Sequence, residues 1–262
     1  TGEVGSDMGA FGVGCEAPFN NYSLSFDGVD DYVQVADSPV LSGMSELTIE
    51  TWYMKPSGSP STGIFISKWG SDSDNDSKSY HFYEVGDADI INFYIKGTEG
   101  EELAGFSTAE IDFDTWYLLS GVYDGNTISI YLNGVLQGST SSSIGNITTT
   151  TNTDLIFGAR GDVFTEYYNG NLDEIRIWNI ALTQEQIQAN MTTELSGNEA
   201  GLVGYWDFNE GTGTTLTDQT SNGNNGQVND ANWVTGAPLD PAPPVYGCTD
   251  PYAENYDPNA NT

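Results

Sequence analysis

Strand-like patterns of apolar and polar residues recur from Asn21 to about Asn179, with turn signals between them. In Thr127–Leu132 the side chains of Ile128, Ile130 and Leu132 share one face, opposite Thr127, Ser129 and Tyr131. That period predicts a strand with one buried face. The same reading predicts strands over Leu47–Lys55, Gly63–Lys68, Tyr80–Val85, Ile90–Lys96, Trp116–Tyr123 and Asp154–Gly158. Asp124-Gly125 and Asn133-Gly134 bracket Thr127–Leu132 and predict tight turns with positive φ. Sheets with one apolar face pair into antiparallel sandwiches. One helix is predicted, from Gln184 to Met191. Thr183 and Gln186 have capping-box spacing, and Leu182 with Ile187 supplies the flanking apolar contact. After it, Gly201–Phe208 returns to strand.

The pattern divides the chain. Residues 1–20 are glycine-rich and weakly periodic, a leader ahead of the sandwich spanning 21–236. Residues 237–245 hold a run of prolines that forms a stiff spacer. Residues 246–262 form a separate small motif rich in Asp and Asn. With no initiator methionine or apolar signal segment, the chain reads as a mature or excised piece of something larger.

Charge narrows the partners. There are 38 acidic residues against 6 basic ones, net −32, a surface that repels nucleic acid and anionic lipid heads. No run reaches the roughly 18 apolar residues of a membrane span. An acidic surface serves solubility or salt adaptation, but acids clustered in turns also suit divalent cations. The single histidine, His81, excludes a two-histidine metal site. Cys15 and Cys248 could pair with each other or outside this region, and spacing does not decide which.

Three groups of residues carry candidate chemistry. Asp27, Asp30 and Asp31 crowd one turn between two strand patterns, where their repulsion calls for a counter-ion, although Asp27 alone could simply cap the turn. Asp72, Asp74 and Asp76 alternate like the first half of an EF-hand loop. The expected glycine is Ser77 there and the twelfth position is Tyr83, so the choice is a looser ion loop or a solvated acidic loop. Sugar binding needs exposed aromatic faces, and Trp69, Tyr83, Phe164, Tyr167 and Tyr168 flank or occupy the two longest irregular loops. Trp52, Trp116 and Trp178 are assigned to the core.

Several segments, in order, carry a resemblance. They are Phe26-Asp-Gly-Val-Asp-Asp-Tyr-Val33, Leu47-Thr-Ile-Glu-Thr-Trp52, Trp116–Tyr123, Ile130-Tyr-Leu-Asn-Gly134, Gly170-Asn-Leu-Asp-Glu-Ile-Arg-Ile-Trp178, Leu202–Gly211 and Asp218–Gly226. Together they resemble a laminin-G-like domain of the concanavalin A-like lectin/glucanase superfamily. The resemblance implies an all-β jelly-roll sandwich of two antiparallel sheets with one short helix. It also implies a calcium ion bridging the first core strand's turn to the last core strand, through Asp27 and Asp173 with carbonyls near Asp30. Residues 246–262 look like a cysteine motif of secreted multidomain proteins of marine Bacteroidetes, truncated before its second cysteine.

The expected function is a calcium-binding, non-catalytic adhesion or carbohydrate-binding module, secreted or on the cell surface. Its partners are a glycan or cell-surface ligand and other domains of the same polypeptide. A structural spacer without a ligand is the alternative, and a hydrolase of this fold the weaker one. Laminarinase-type relatives place two glutamates around an aspartate on one strand. Here the position two before Asp173 is Asn171, and a carboxamide is neither nucleophile nor general base.

Overall fold

The computed structural model describes residues 22–59, 62–70, 77–85, 90–107, 111–161 and 166–235. Asp72, Asp74, Asp76 and Phe164, the two cysteines, the leader, the spacer and the terminal motif lie outside the described residues.

In chain order the elements are β1 (Tyr22–Asp27), β2 (Tyr32–Val35), β3 (Leu47–Met54), β4 (Gly63–Trp69), β5 (Lys78–Val85), β6 (Ile90–Gly97), β7 (Gly100–Ser107) and β8 (Trp116–Tyr123). They continue with β9 (Thr127–Leu132), β10 (Val135–Ser141), β11 (Leu155–Phe157), β12 (Asn169–Trp178), the helix α1 (Gln184–Asn190), β13 (Leu202–Trp206), β14 (Thr215–Leu216), β15 (Gly226–Asn229) and β16 (Asn232–Thr235).

They form two antiparallel sheets. The first runs β10-β9-β8-β3-β12-β1-β16, with β13 also paired to β12. The second runs β14-β15-β2-β11-β4-β5-β6-β7. The all-β sandwich expected from the alternation is therefore present, with one α-helix among the described residues. Asn133 and Gly134 both take positive φ between β9 and β10, as their hairpin requires.

Side chains from the inner faces meet in one apolar core that includes Leu24, Phe26, Val33, Phe65, Phe82, Phe93, Leu172 and Trp206. A second cluster covers the outer face of the first sheet, where Trp52, Leu118 and Trp178 pack with Ile187 of α1. The helix is set by its cap: Thr183 Oγ1 accepts from Gln186 N, and Gln186 Oε1 accepts from Thr183 N. Arg176 ties down the chain at the end of α1. This fully buried guanidinium donates to Glu174, to the Asn190 carbonyl and to the Thr193 carbonyl, at 2.6–3.1 Å.

Two sequence expectations are corrected here. Tyr168 is a core residue, 2% exposed, with its ring 4.8 Å from Phe65 and its hydroxyl donating to the Met54 carbonyl. The β1–β12 register seats Asp27 opposite Asn169, four residues from Asp173, or about 13 Å along a strand. Asp173 instead pairs with Trp52 and is buried, so Asp27 and Asp173 do not share one ion. A sequence cannot announce this offset, because a ladder can slide by two residues without changing which face is apolar.

Candidate functional site

The β1–β2 turn gathers three carboxylates. One oxygen of each of Asp27, Asp30 and Asp31 falls within 4.8 Å of the others. Gly28, at φ +80°, lets the chain reverse beside Asn169, whose side-chain amide donates to the Asp27 carbonyl. Asp27 Oδ1 accepts from Val29 N, and Asp31 Oδ2 accepts from Asp27 N. Burial raises the Asp31 pKa, the Asp27 N–H opposes that, and the charges of Asp27, Asp30 and Asp230 raise it further. The donor set is all hard oxygen, with one carboxylate oxygen of Asp27 and of Asp31 not taken by these amides. These residues fit calcium. Tyr167 stands beside this turn, its phenol pKa raised by burial and by neighbouring Tyr32 and Asp30.

The outer face of the second sheet carries a different site. The registers Ser67↔His81 and His81↔Tyr94 align neighbouring strands, and alternation brings Tyr83 to the same face. Trp69, at the end of β4, lies flat against His81, with Tyr94 edge-on to both rings. His81 also meets Tyr83 at 4.7 Å between centroids. Lys78 Nζ lies 5.3 Å over the Trp69 ring. Burial and the charge of Glu166 raise the Tyr83 pKa. Burial and the carboxylate of Glu101 push Tyr94 to about 12.

These rings line a cavity of about 490 Å³, together with Lys78, Glu84, Glu101, Arg160 and Glu166. Its size falls in the range of small-molecule sites. Trp69 is 5% exposed and forms a wall, whereas His81, Tyr83 and Tyr94 keep part of their surfaces open. Glu84 is held from beneath by Lys55 at 2.8 Å. The arrangement offers partly open aromatic surface with charged groups around its edge.

Of the aromatic residues singled out from the sequence, the structure brings Trp69 and Tyr83 together. Tyr167 stands elsewhere and Tyr168 is inside. His81 and Tyr94 were not singled out from the sequence: they stand on different strands, and what makes them a site is the pairing that sets one beside the other, which local sequence does not encode.

No curated protein matches the sequence. Among solved structures, the chain is similar to a candidate carbohydrate-binding protein from Bacteroides ovatus, at 19% identity and a TM-score of 0.64. That match covers 82% of this chain and 60% of the other, so this chain spans about three-fifths of that protein's length. It is also similar to a heptameric SAP-like pentraxin from Limulus polyphemus, at 15% identity and a TM-score of 0.61, covering 86% of this chain and 100% of the pentraxin. At such identities the likeness is one of fold. A family model described as the concanavalin A-like lectin/glucanases superfamily, of laminin G type, matches residues 27–188, more than half of the sequence. On this match and the two-sheet architecture, the chain belongs to the laminin-G-like part of the concanavalin A-like lectin/glucanases superfamily.

Proposed function

We propose that this domain is a non-catalytic glycan-binding module of a secreted or cell-surface protein, and that its ligand lies in the aromatic cavity of the second sheet. The observation that carries the reading is the ring cluster of Trp69, His81, Tyr83 and Tyr94 around an open volume of about 490 Å³. Pyranose rings present apolar C–H faces to aromatic surfaces and hydroxyls to the polar groups around them. Here the open surfaces of Tyr83 and Tyr94 suit the first need, and Glu101, Glu166, Lys78 and Arg160 suit the second. The similarity in fold to a candidate carbohydrate-binding protein agrees with this reading.

Binding is favoured over hydrolysis by the burial of three of the carboxylates, while Glu101 and Glu166, open at the cavity's edge, are the pair that the turnover outcome below tests. Asp173 and Glu174, on the strand nearest in pattern to a hydrolase motif, are 2% and 1% exposed on the other sheet. Glu84 in the cavity is 4% exposed and ion-paired to Lys55. A retaining or inverting pair needs two carboxyls open to one scissile bond.

In the same proposal, the Asp27–Asp31 turn takes calcium. Asp27, Asp30 and Asp31 would hold it, and the ion would neutralise three crowded charges and stiffen the turn. A glycan screen of the domain, repeated with Tyr83→Ala and Tyr94→Ala, tests the reading. Binding that both substitutions weaken supports it. Binding indifferent to both, or turnover of a polysaccharide, contradicts it.

A further inference from the structure

The outer face of the second sheet carries another cavity, of about 330 Å³, across β2 and β15. Gln34, Asp154, Thr215, Asn225 and Gln227 line it, and its lining holds neither an aromatic ring nor a basic side chain. Its size, like that of the aromatic cavity, is within the range of small-molecule sites.

One row of paired residues joins the two cavities. Tyr94 pairs with His81, His81 with Ser67, Ser67 with Ile156, Ile156 with Gln34, and Gln34 with Gln227. Directly paired residues share a face of the sheet. Gln34 stands between the core residues Val33 and Val35, as His81 stands between Tyr80 and Phe82, so the row points away from the core. Three strand spacings, about 14 Å, separate His81 from Gln34, and one more reaches Gln227. The middle of the row is a saddle. Ile156 and Ser67 are 0% exposed, and the chain after β11 lies on them: a Cβ at Gly161 would stand 3.1 Å from Ile156 Cγ1 and 3.4 Å from the Trp69 carbonyl oxygen. Having no side chain there keeps the saddle low between the cavities.

The polar groups of the second cavity are held in place at one end and open at the other. Gln34 Nε2 donates to Asp154 Oδ2 at 2.6 Å, which leaves Gln34 Oε1 to accept. Asp37 N donates to Asp154 Oδ1 at 2.9 Å, so the carboxylate is fixed from both sides. Asp218 N donates to Asn225 Oδ1 at 3.0 Å, which leaves the Asn225 amide N–H groups to donate. Gln34 and Asp154 are half-buried, while Thr215, Asn225 and Gln227 are exposed. Fixed donors and acceptors side by side suit hydroxyls, each of which both donates and accepts.

We propose that this polar cavity is a second subsite for the same ligand, so that the glycan is an uncharged polysaccharide chain long enough to cross the saddle. One stretch lies against the rings of Tyr83 and Tyr94, and another is hydrogen-bonded by Gln34, Asn225 and Gln227. The inference rests on the glycan reading of the aromatic cavity and adds the length and charge of what binds there. With Asp154 as its one charged group, the polar cavity is a poor host for a uronate or a sulfated sugar, and the net charge of −32 repels such chains as a whole. A short glycan fills the aromatic cavity alone.

Calorimetric titration of cello-, laminari-, manno- and xylo-oligosaccharides, from disaccharide to octasaccharide, tests this, with oligomannuronate as the charged comparison. In a series that binds, affinity should rise roughly tenfold or more between short chains and those that reach the second cavity, then level off. Gln34→Ala/Gln227→Ala should weaken the long chains several-fold and spare the short ones, whereas Tyr83→Ala should weaken every length. Gln227→Ala alone, at an exposed position, serves if the double variant fails to fold. Affinity that levels off at the disaccharide and depends on Tyr83 overturns the second subsite while the glycan reading stands. A length effect that both glutamine variants leave intact also overturns it, as does oligomannuronate bound as tightly as an uncharged chain of equal length. Silence from all four uncharged series overturns it too, with the wider glycan screen left to decide the reading beneath. Binding indifferent to Tyr83→Ala removes both together.

Discussion

The indole of Trp69 and the imidazole of His81 lie face to face, with ring centroids 4.5 Å apart and planes 10° from parallel. They stand on adjacent strands, with Tyr94 edge-on to both and Tyr83 tilted against His81. Each ring limits how its neighbours rotate, so the surface offered to a ligand is largely ordered before binding. Preorganisation of this kind lowers the entropy lost on association.

The wall and the open rings should separate on mutation. Trp69 is nearly buried, so Trp69→Ala should cost about 3–5 kcal/mol of stability by denaturant melting. Tyr83→Ala and Tyr94→Ala should instead spare stability and weaken glycan binding roughly two- to tenfold each, the equivalent of a stacking contact of about 0.5–1.5 kcal/mol. Calorimetric titration alongside urea melts distinguishes the two outcomes.

Tyr168 should behave as a core residue. Tyr168→Ala should cost about 3–5 kcal/mol. Tyr168→Phe should lose only the bond to the Met54 carbonyl, about 0.5–1.5 kcal/mol, with glycan affinity unchanged in the folded variant. Urea melts and a binding titration check both values.

Lys68 supplies a charge test. It is fully buried, bonded to Asp37 at 2.7 Å and to the Thr153 carbonyl at 2.6 Å. Asp37→Asn leaves that ammonium without its carboxylate and should destabilise the domain by about 3–5 kcal/mol. Burial lowers the Lys68 pKa below 10.5, while Asp37 and Asp154 oppose the shift. The folded state therefore holds fewer protons than the unfolded one across the window just below 10.5. This residue's contribution to stability rises with pH through that window. Lys68→Met should remove that part of the slope, as read from melts at stepped pH.

Calcium at the Asp27–Asp31 turn should appear as linkage. Calcium at one hundred times its dissociation constant adds about 2.7 kcal/mol to a domain that binds it only when folded. Chelation should lower the melting temperature. Asp30→Asn should shrink the calcium response without destabilising the chelated protein, because it removes one of three mutually repelling charges. Scanning calorimetry with calcium and with chelator measures both effects.

Much of the fold could be read from the alternation of residues. Trp116–Tyr123 and Thr127–Leu132 form strands with the bounds expected, and the capping residues Thr183 and Gln186 set the helix start. Gly100–Ser107 gave weaker signals, because Glu101, Glu102 and two glycines dilute its apolar face. Strand pairing was less accessible. Asp27 and Asp173 each stand in a recognisable motif, but their separation depends on a register that local sequence does not encode. His81 and Tyr94 became a site only once β5 and β6 lay side by side.

The central claim, that glycan enters the cavity of the second sheet, can be read from one side chain. His81 is the sole histidine of the chain and lines that cavity, so its imidazole resonances need no assignment strategy. In a magnetic-resonance titration with a glycan found to bind, those signals should shift and saturate with the binding isotherm, and lose the response in Tyr83→Ala. Imidazole signals that stay still while the glycan saturates the domain would place the ligand elsewhere and contradict the account.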